Sequence, residues 1–251
     1  MKKLIHKYIK KTQKRIGRVP DRFFWWQKIK HVLKDARFQE YVKNNSATNA
    51  WENVYIKSFL HHSHQNKLIS LDFLKKIQKR KIFKEIFDKS KNILELGCGT
   101  GEFSHFIDKE YKDKKILGLE ISGVSVTIAN ILYSNQNVNF LKIEPNEDLK
   151  KYGKFDIVIC ANVLEHFLNP YTLINKMFEV SPIVVILVPY DQPVIDKFVG
   201  EGMGGHIFRF TKESFKKYTI LDSFVFESAG WDYSSIDEDP RQFAVMIKQS
   251  N

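Results

Sequence analysis

The sequence predicts an α/β fold with a doubly wound, Rossmann-like sheet of seven strands, and three observations support this prediction. From residue 91 onward, short apolar runs alternate with helical or polar segments, which is the pattern of strand–helix–strand units around a parallel sheet. The first run, Asn92–Leu96, leads directly into a glycine-rich turn. Two late runs, Ile220–Glu227 and Gln242–Ile247, suit an antiparallel hairpin that contributes the antiparallel last strand.

The remaining elements follow from hydrophobic periodicity and from residues that start or stop helices. A basic helix is expected over residues 2–16, and Gly17 and Pro20 end it. An aromatic-rich helix is expected next, and one basic helix over 71–89. The predicted parallel strands are the apolar runs at residues 92–96, 116–120, 138–143, 155–160 and 183–188.

Charge divides the chain where the glycine-rich turn begins. Residues 1–90 hold 23 basic and 7 acidic residues, a net charge of +16, whereas residues 91–251 hold 17 and 22, a net charge of −5. We therefore predict a helical N-terminal region over 1–90, acting as a lid, cap or surface attachment, and a catalytic domain over 91–251. Residues 1–18 form either a solvated terminal helix, which we favour, or a contact with an anionic membrane surface or nucleic acid.

The composition of the chain predicts a globular protein in a reducing compartment. A hydrophobic content of 43% is enough for a sizeable core. No apolar run approaches the roughly 18 residues of a membrane span, and no continuous apolar segment near the N-terminus suggests a secretory signal. The two cysteines, Cys98 and Cys160, each end a predicted core strand. Two buried thiols in a reducing environment are the simpler interpretation, so we expect a cytoplasmic protein.

The glycine-rich turn predicts a site for an adenosine-containing cofactor. Gly97, Gly99 and Gly101 alternate along the turn, so the backbone can approach a ligand without obstruction by a Cβ atom. A helix that begins near Glu102 directs free N–H groups toward the same place. Glu120 ends the next apolar run, nineteen positions after Gly101. Nucleotide-binding α/β folds use an acidic residue at that spacing to hold the ribose hydroxyls.

The details of the turn favour S-adenosylmethionine over a dinucleotide. The third glycine of the dinucleotide pattern is missing, and Glu95 would repel a diphosphate but suits a cofactor that carries an ammonium and a sulfonium. The segment Glu95–Gly101 resembles motif I of the class I S-adenosylmethionine-dependent methyltransferases. The resemblance implies that Glu120 and the adjacent Ile121 meet the ribose, and that the methionine part is held by Glu95, Gly97, Cys98, Gly99, Thr100 and Gly101.

The same resemblance extends to the segments after the third and fourth strands. It implies that Asn146 and Glu147 meet the adenine. The run Val163-Leu164-Glu165-His166 is similar to the family's segment after the fourth strand. His166 is then a candidate general base, together with Glu165, although both residues could instead be structural. The resemblance also implies three residues that line the cofactor: Cys160, Ala161 and Asn162.

Substrate contact is expected in the segment that follows the fifth strand. Tyr190, His206 and Arg209 are the candidates, and Thr211 with Ser214 predicts the start of a helix. Some relatives bind a divalent metal through E-x-x-E-H and a later histidine, but Asn162 stands here where the first glutamate would be. We therefore predict no metal, and keep a site formed by Glu165, His166 and His206 as the alternative.

The sequence thus predicts an S-adenosylmethionine-dependent methyltransferase that acts on a hydroxyl or amine of a small or glycan-linked acceptor. S-adenosylhomocysteine would be the product. Two alternatives remain open at this point. The basic region 1–90 could serve an RNA or other nucleic-acid methyltransferase. A nicotinamide-dependent oxidoreductase is disfavoured by Glu95 and by the missing third glycine.

Overall fold

A computed structural model describes residues 22–44, 67–192, 206–228 and 241–250. The described chain contains one seven-stranded sheet with the order β3-β2-β1-β4-β5-β7-β6. The predicted α/β class and the strand positions are confirmed within two residues at each end. The strands are β1 Asn92–Leu96, β2 Lys115–Glu120, β3 Val138–Lys142, β4 Ile157–Ala161, β5 Ile183–Pro189, β6 Thr219–Glu227 and β7 Arg241–Lys248.

Strands β1 to β5 are parallel, and β7 alone runs antiparallel to its neighbours β5 and β6. The strand order reverses between β1 and β4, where Leu96 lies opposite Cys160. In open α/β sheets this switch point leaves a crevice at the carboxyl ends of the strands, where ligands bind. The topology therefore places the glycine-rich turn and the segment after β4 at the same edge.

Helices cover both faces of the sheet. The helices are α1 Arg22–Lys34, α2 Ala36–Asn44, α3 over 67–78, α4 Lys81–Lys89, α5 Glu102–Glu110, α6 Gly123–Tyr133 and α7 Pro170–Phe178, and the 3₁₀ turns are Leu149–Tyr152, Leu164–His166 and Lys212–Phe215. On one face, the core joins α3, α4, α5 and α6 to the sheet, and on the other face it joins α7 and the three 3₁₀ turns.

The single basic helix predicted over residues 71–89 is wrong, because the chain breaks it into α3 and α4 at residues 79–80. The break lets Arg80 pair with Asp222 on β6, with its Nε 3.0 Å from the carboxylate. Both helices bury aromatic side chains against β6: Phe73 of α3 stacks on Phe226 at 6.5 Å, and Phe83 of α4 meets Phe224 edge-on at 5.6 Å.

Helices α3 and α4 are thus part of the same hydrophobic core as the sheet, and the boundary at residue 91 stays a prediction. The basic helix expected over residues 2–16 lies outside the described residues. No helix among the described residues is long and apolar enough to cross a membrane. Cys98 and Cys160 are both buried and unpaired with each other.

Candidate functional site

The glycine-rich turn follows β1 and requires glycine at two positions. Gly97 has φ +78° and Gly101 has φ +85°, in the left-handed region that side chains rarely adopt. A Cβ atom on Gly97 would overlap the side chain of Val163, and one on Gly101 would lie 2.7 Å from the ring of Phe140. The turn is therefore packed tightly between β1, β3 and the segment after β4.

Glu120 lies at the end of β2 and holds the turn in place. Its carboxylate accepts hydrogen bonds from the N–H of Gly99 and from the N–H of Ser122, each at 3.0 Å. Only 7% of Glu120 is exposed. Because each oxygen of an ionised carboxylate can accept more than one hydrogen bond, this side chain suits donors such as ribose hydroxyls. Ile121, next to it, is half-buried.

Glu95 lies beneath the turn. One oxygen accepts the N–H of Ser104 at 3.0 Å and also the Ser104 hydroxyl, so the side chain connects β1 to the first turn of α5. Burial raises the pKa of Glu95 to about 8. A cationic ligand close by would lower that pKa and favour the charged form, whereas a diphosphate would raise it further. Thr100 and Cys98 are buried in the same turn.

The segments after β3 and β4 differ in exposure. Asn146 is exposed, and Glu147 accepts the N–H of Glu144 at 2.8 Å. Their contact with adenine stays a prediction. Cys160 is buried and Ala161 half-buried at the end of β4. Asn162 has φ +51°, and within the described residues its buried amide oxygen has no hydrogen-bond partner.

Glu165 and His166 lie outside the helix that follows them. They lie in a separate 3₁₀ turn, and α7 begins only at Pro170. Glu165 is 1% exposed, and neither carboxylate oxygen has a hydrogen-bond partner among the described residues. Its backbone carbonyl accepts the N–H of Ile207 at 2.8 Å, which brings His206 to the same place. An unpaired buried carboxylate is costly, so it indicates a site that another group completes.

His206 and His166 form an imidazole pair beside this carboxylate. Their ring centroids are 5.3 Å apart. One donor atom from each of Glu165, His166 and His206 lies within 4.8 Å of the others. Burial raises the pKa of Glu165 to about 8, while burial and then His166 lower the pKa of His206 to about 4. The cluster can accept a proton from a substrate or hold a divalent cation, because carboxylate and imidazole are ligands for such ions.

The other substrate candidates lie near this cluster or on its rim. Tyr190 is half-buried after β5, with its ring 5.8 Å from that of Phe243. Arg209 is exposed, and its Nε donates to Asp191 at 2.8 Å. Sequence reasoning missed Gln192, whose amide oxygen lies 2.8 Å from Nδ1 of His206. No motif marks this glutamine, and only its position three residues after β5 could have drawn attention to it.

The Thr211–Ser214 capping box is confirmed, because each side chain bonds the other's backbone. It starts a four-residue 3₁₀ turn rather than a long helix. The turn fixes the end of the segment that carries His206.

The buried carboxyl of Glu165 predicts a pH-dependent stability. Because its pKa rises from 4.5 to about 8 on folding, its contribution is fully present below the unfolded pKa and is lost as pH rises through the folded value. Glu165→Gln has no ionisable group at this position, so the variant does not lose stability in this way as the pH rises. We expect the variant's Tm to exceed that of the wild type increasingly between about pH 5 and about pH 8, in thermal unfolding without ligands. A Tm difference that does not change with pH would contradict this assignment.

The fold, the glycine-rich turn with Glu120, and the polar groups after β4 together define a class I S-adenosylmethionine-dependent methyltransferase. The chain belongs to the methyltransferase domain family, whose match covers residues 63–219, more than half of the chain. S-adenosylmethionine is accordingly the cofactor.

Two curated methyltransferases are similar to this chain over part of their length. Malonyl-[acyl-carrier protein] O-methyltransferase 1 of Ilyobacter polytropus is 34% identical over 40% of this chain and 37% of its own. A ubiquinone biosynthesis O-methyltransferase of Pseudoalteromonas translucida is 27% identical over 38% of this chain and 40% of its own. The matched segments therefore span about two fifths of these relatives.

Solved structures share the fold at low sequence identity. A putative methyltransferase of Haloferax volcanii, in complex with the Trm112 methyltransferase activator, has a TM-score of 0.57 at 10% identity and covers 82% of this chain and 100% of its own. The plantazolicin methyltransferase BpumL, in complex with a triazolic desmethylPZN analog and S-adenosylhomocysteine, has a TM-score of 0.52 at 16% identity and covers 89% of this chain and 99% of its own.

Proposed function

We propose that this enzyme methylates a hydroxyl group of a small or glycan-linked acceptor, with His206 and His166 at the reacting end of the cofactor. The observation that carries the proposal is the imidazole pair beside the buried Glu165 carboxylate at the carboxyl edge of β4. A hydroxyl needs a base to become a good nucleophile, whereas a neutral amine attacks unaided. A buried, uncharged imidazole such as that of His206 can accept the hydroxyl proton.

The remaining site residues would then align the cofactor. In the proposed arrangement Glu120 accepts the ribose hydroxyls, and the turn from Gly97 to Gly101 lies against the methionine part. The space between the cofactor and the acceptor is lined by Cys160, Ala161 and Asn162. The acceptor oxygen attacks the methyl carbon in line with the sulfonium: the O–C bond forms, the S–C bond breaks, and the proton passes to imidazole. Alignment and exclusion of water are the main catalytic contributions.

An acceptor screen tests this proposal. The purified chain would be incubated with S-adenosylmethionine and with sugar nucleotides, catechols, primary amines or RNA, and the release of S-adenosylhomocysteine would be measured. The proposal expects product with a hydroxyl acceptor, and expects Tyr190→Phe and Arg209→Ala to change the KM for that acceptor. Turnover restricted to amines, at a rate that His206→Ala leaves unchanged, would contradict it.

A divalent cation in the same cluster is a second candidate mechanism. It is favoured by the Glu165 carboxylate, which has no hydrogen-bond partner among the described residues and has two imidazoles close by. Such an ion would be held by Glu165, His166 and His206, and would act as a Lewis acid toward an oxygen atom. The replacement of the expected glutamate by Asn162 leaves one carboxylate fewer to bind it.

Chelation separates the two mechanisms. With a general base alone, we expect activity to survive exhaustive dialysis against a chelator. With a bound ion, activity is lost and returns with Mn²⁺ or Zn²⁺. Calorimetric titration of either metal alone should then show binding that Glu165→Gln weakens. Metal binding of equal strength in the wild type and in Glu165→Gln would place any ion elsewhere.

We propose that the N-terminal region acts as a cap on the catalytic domain. In its described part, α1 and α2 pack on α6. Lys28 donates to the hydroxyl of Tyr133 at 2.8 Å, and Tyr41 lies so close to Gly123 that a Cβ atom there would meet the phenol ring. These contacts support a role in covering the site. An RNA acceptor remains the competing use of the basic region, and RNA binding that weakens steeply with salt would support it.

A further inference from the structure

Gln192 is a buried residue next to the imidazole pair. It is 5% exposed, and its amide oxygen lies 2.8 Å from Nδ1 of His206. The two residues are fourteen positions apart in the sequence, and a short parallel β-bridge holds their segments together. The bridge pairs Tyr190 with Phe210, and the N–H of Asp191 donates to the carbonyl of Phe210 at 2.8 Å. The amide therefore reaches the imidazole from a defined position.

An uncharged imidazole carries one proton, on either Nδ1 or Nε2. An amide oxygen facing Nδ1 can only accept, so Nδ1 carries the proton and Nε2 keeps its lone pair. The contact of 2.8 Å between the Gln192 amide oxygen and Nδ1 is the observation that carries this assignment.

We infer that Gln192 is a positioning residue that fixes His206 in the Nδ1–H tautomer and thereby makes Nε2 the reactive atom. This inference rests on the proposed function for its catalytic meaning. With a general base, Nε2 accepts the proton of the acceptor hydroxyl. With a divalent cation, Nε2 would be the ligand atom. Both roles need the lone pair of Nε2, and the hydrogen bond at Nδ1 leaves the proton on Nδ1 and the lone pair on Nε2.

Substitutions at Gln192 separate this role from packing. Gln192→Leu fills similar space but accepts no hydrogen bond, so the ring should shift toward the Nε2–H tautomer that free histidine favours. Gln192→Glu retains an acceptor oxygen and should keep the Nδ1–H tautomer. Gln242→Leu is a matched control, since Gln242 is fully buried and its amide has no hydrogen-bond partner among the described residues.

The direct test is ¹⁵N NMR of histidine-labelled full-length protein with S-adenosylhomocysteine bound, at neutral pH. The His206 signals are assigned by their loss in His206→Ala. We expect a protonated Nδ1 and an unprotonated Nε2 in the wild type, in Gln192→Glu and in Gln242→Leu, and a shift toward protonated Nε2 in Gln192→Leu. If Gln192→Leu does not fold, Gln192→Met serves in its place. A wild-type ring with Nε2–H, or an unchanged ring in Gln192→Leu, would overturn the inference.

A kinetic measurement then connects the tautomer to catalysis. With the acceptor found in the screen, Gln192→Leu should lower kcat about 10- to 100-fold while calorimetry shows unchanged affinity for S-adenosylmethionine. A merely structural role would change Tm and leave kcat in place, which would overturn the catalytic meaning. Failure of the proposed function is distinguishable from failure of this inference. In that case no hydroxyl acceptor is methylated, but the NMR spectra still show the expected tautomer of His206.

Discussion

Gly99→Val is expected to reduce the affinity for S-adenosylmethionine on the order of 100-fold or more, equivalent to about 3 kcal/mol. Gly99 has φ +54°, and its N–H donates to the Glu120 carboxylate at 3.0 Å. A branched side chain strains this backbone and displaces the N–H from Glu120. Isothermal titration calorimetry measures the loss directly.

Gly153→Val is the matched control for this experiment. Gly153 also has a positive φ, +96°, but nothing lies within 4 Å of the Cβ position. It follows the 3₁₀ turn Leu149–Tyr152, away from the glycine-rich turn. We expect this variant to lose some stability through backbone strain and to bind the cofactor as the wild type does. Equal cofactor affinities in Gly99→Val and the wild type would show that the turn does not hold the methionine part.

His206→Ala is expected to lower kcat by about 10²- to 10⁴-fold, the usual contribution of a general acid or base. The reason is that the imidazole is the group that takes the acceptor proton in the proposed mechanism. Because the proposed mechanism places His206 against the acceptor rather than the methionine part, affinity for S-adenosylmethionine should be unchanged. Single-turnover rates with saturating cofactor separate the two effects.

His105→Ala provides a control histidine with a similar electrostatic environment. Burial lowers the pKa of His105 to about 4, as it does for His206. His105 instead lies on α5 and stacks on Tyr133 at a centroid distance of 4.4 Å. We expect its replacement to affect Tm more than kcat. A loss of kcat as large as that in His206→Ala would indicate that the effect comes from general disruption of the protein rather than from the reacting end.

The parallel sheet could be predicted because its strands are buried on both faces and are therefore continuous apolar runs in the sequence. The glycine-rich turn could be predicted because positive φ values and close packing leave glycine as the residue of choice. Glu120 could be placed because the end of one strand and the turn after its neighbour must meet at one edge of the sheet.

The reacting end was predicted only in part. Glu165 and His166 were found by resemblance, but their 3₁₀ turn depends on the hydrogen bonds between the Glu165 carbonyl and residues 207–208, which are distant in sequence. Gln192 was missed for the same reason, since its contact with His206 exists only after residues 190 and 210 pair. The break between α3 and α4 likewise depends on the tertiary pair of Arg80 and Asp222, which periodicity does not encode.

A crystal structure with S-adenosylhomocysteine tests the central claim most directly. The proposed site predicts ribose hydroxyls within about 3.2 Å of the Glu120 carboxylate, which is hydrogen-bonding distance. It also predicts a sulfur atom that faces the cluster of Glu165, His166 and His206 from the edge of β4. Ribose density away from Glu120, or a sulfur atom directed to the opposite end of the site, would contradict the placement of methyl transfer at this edge.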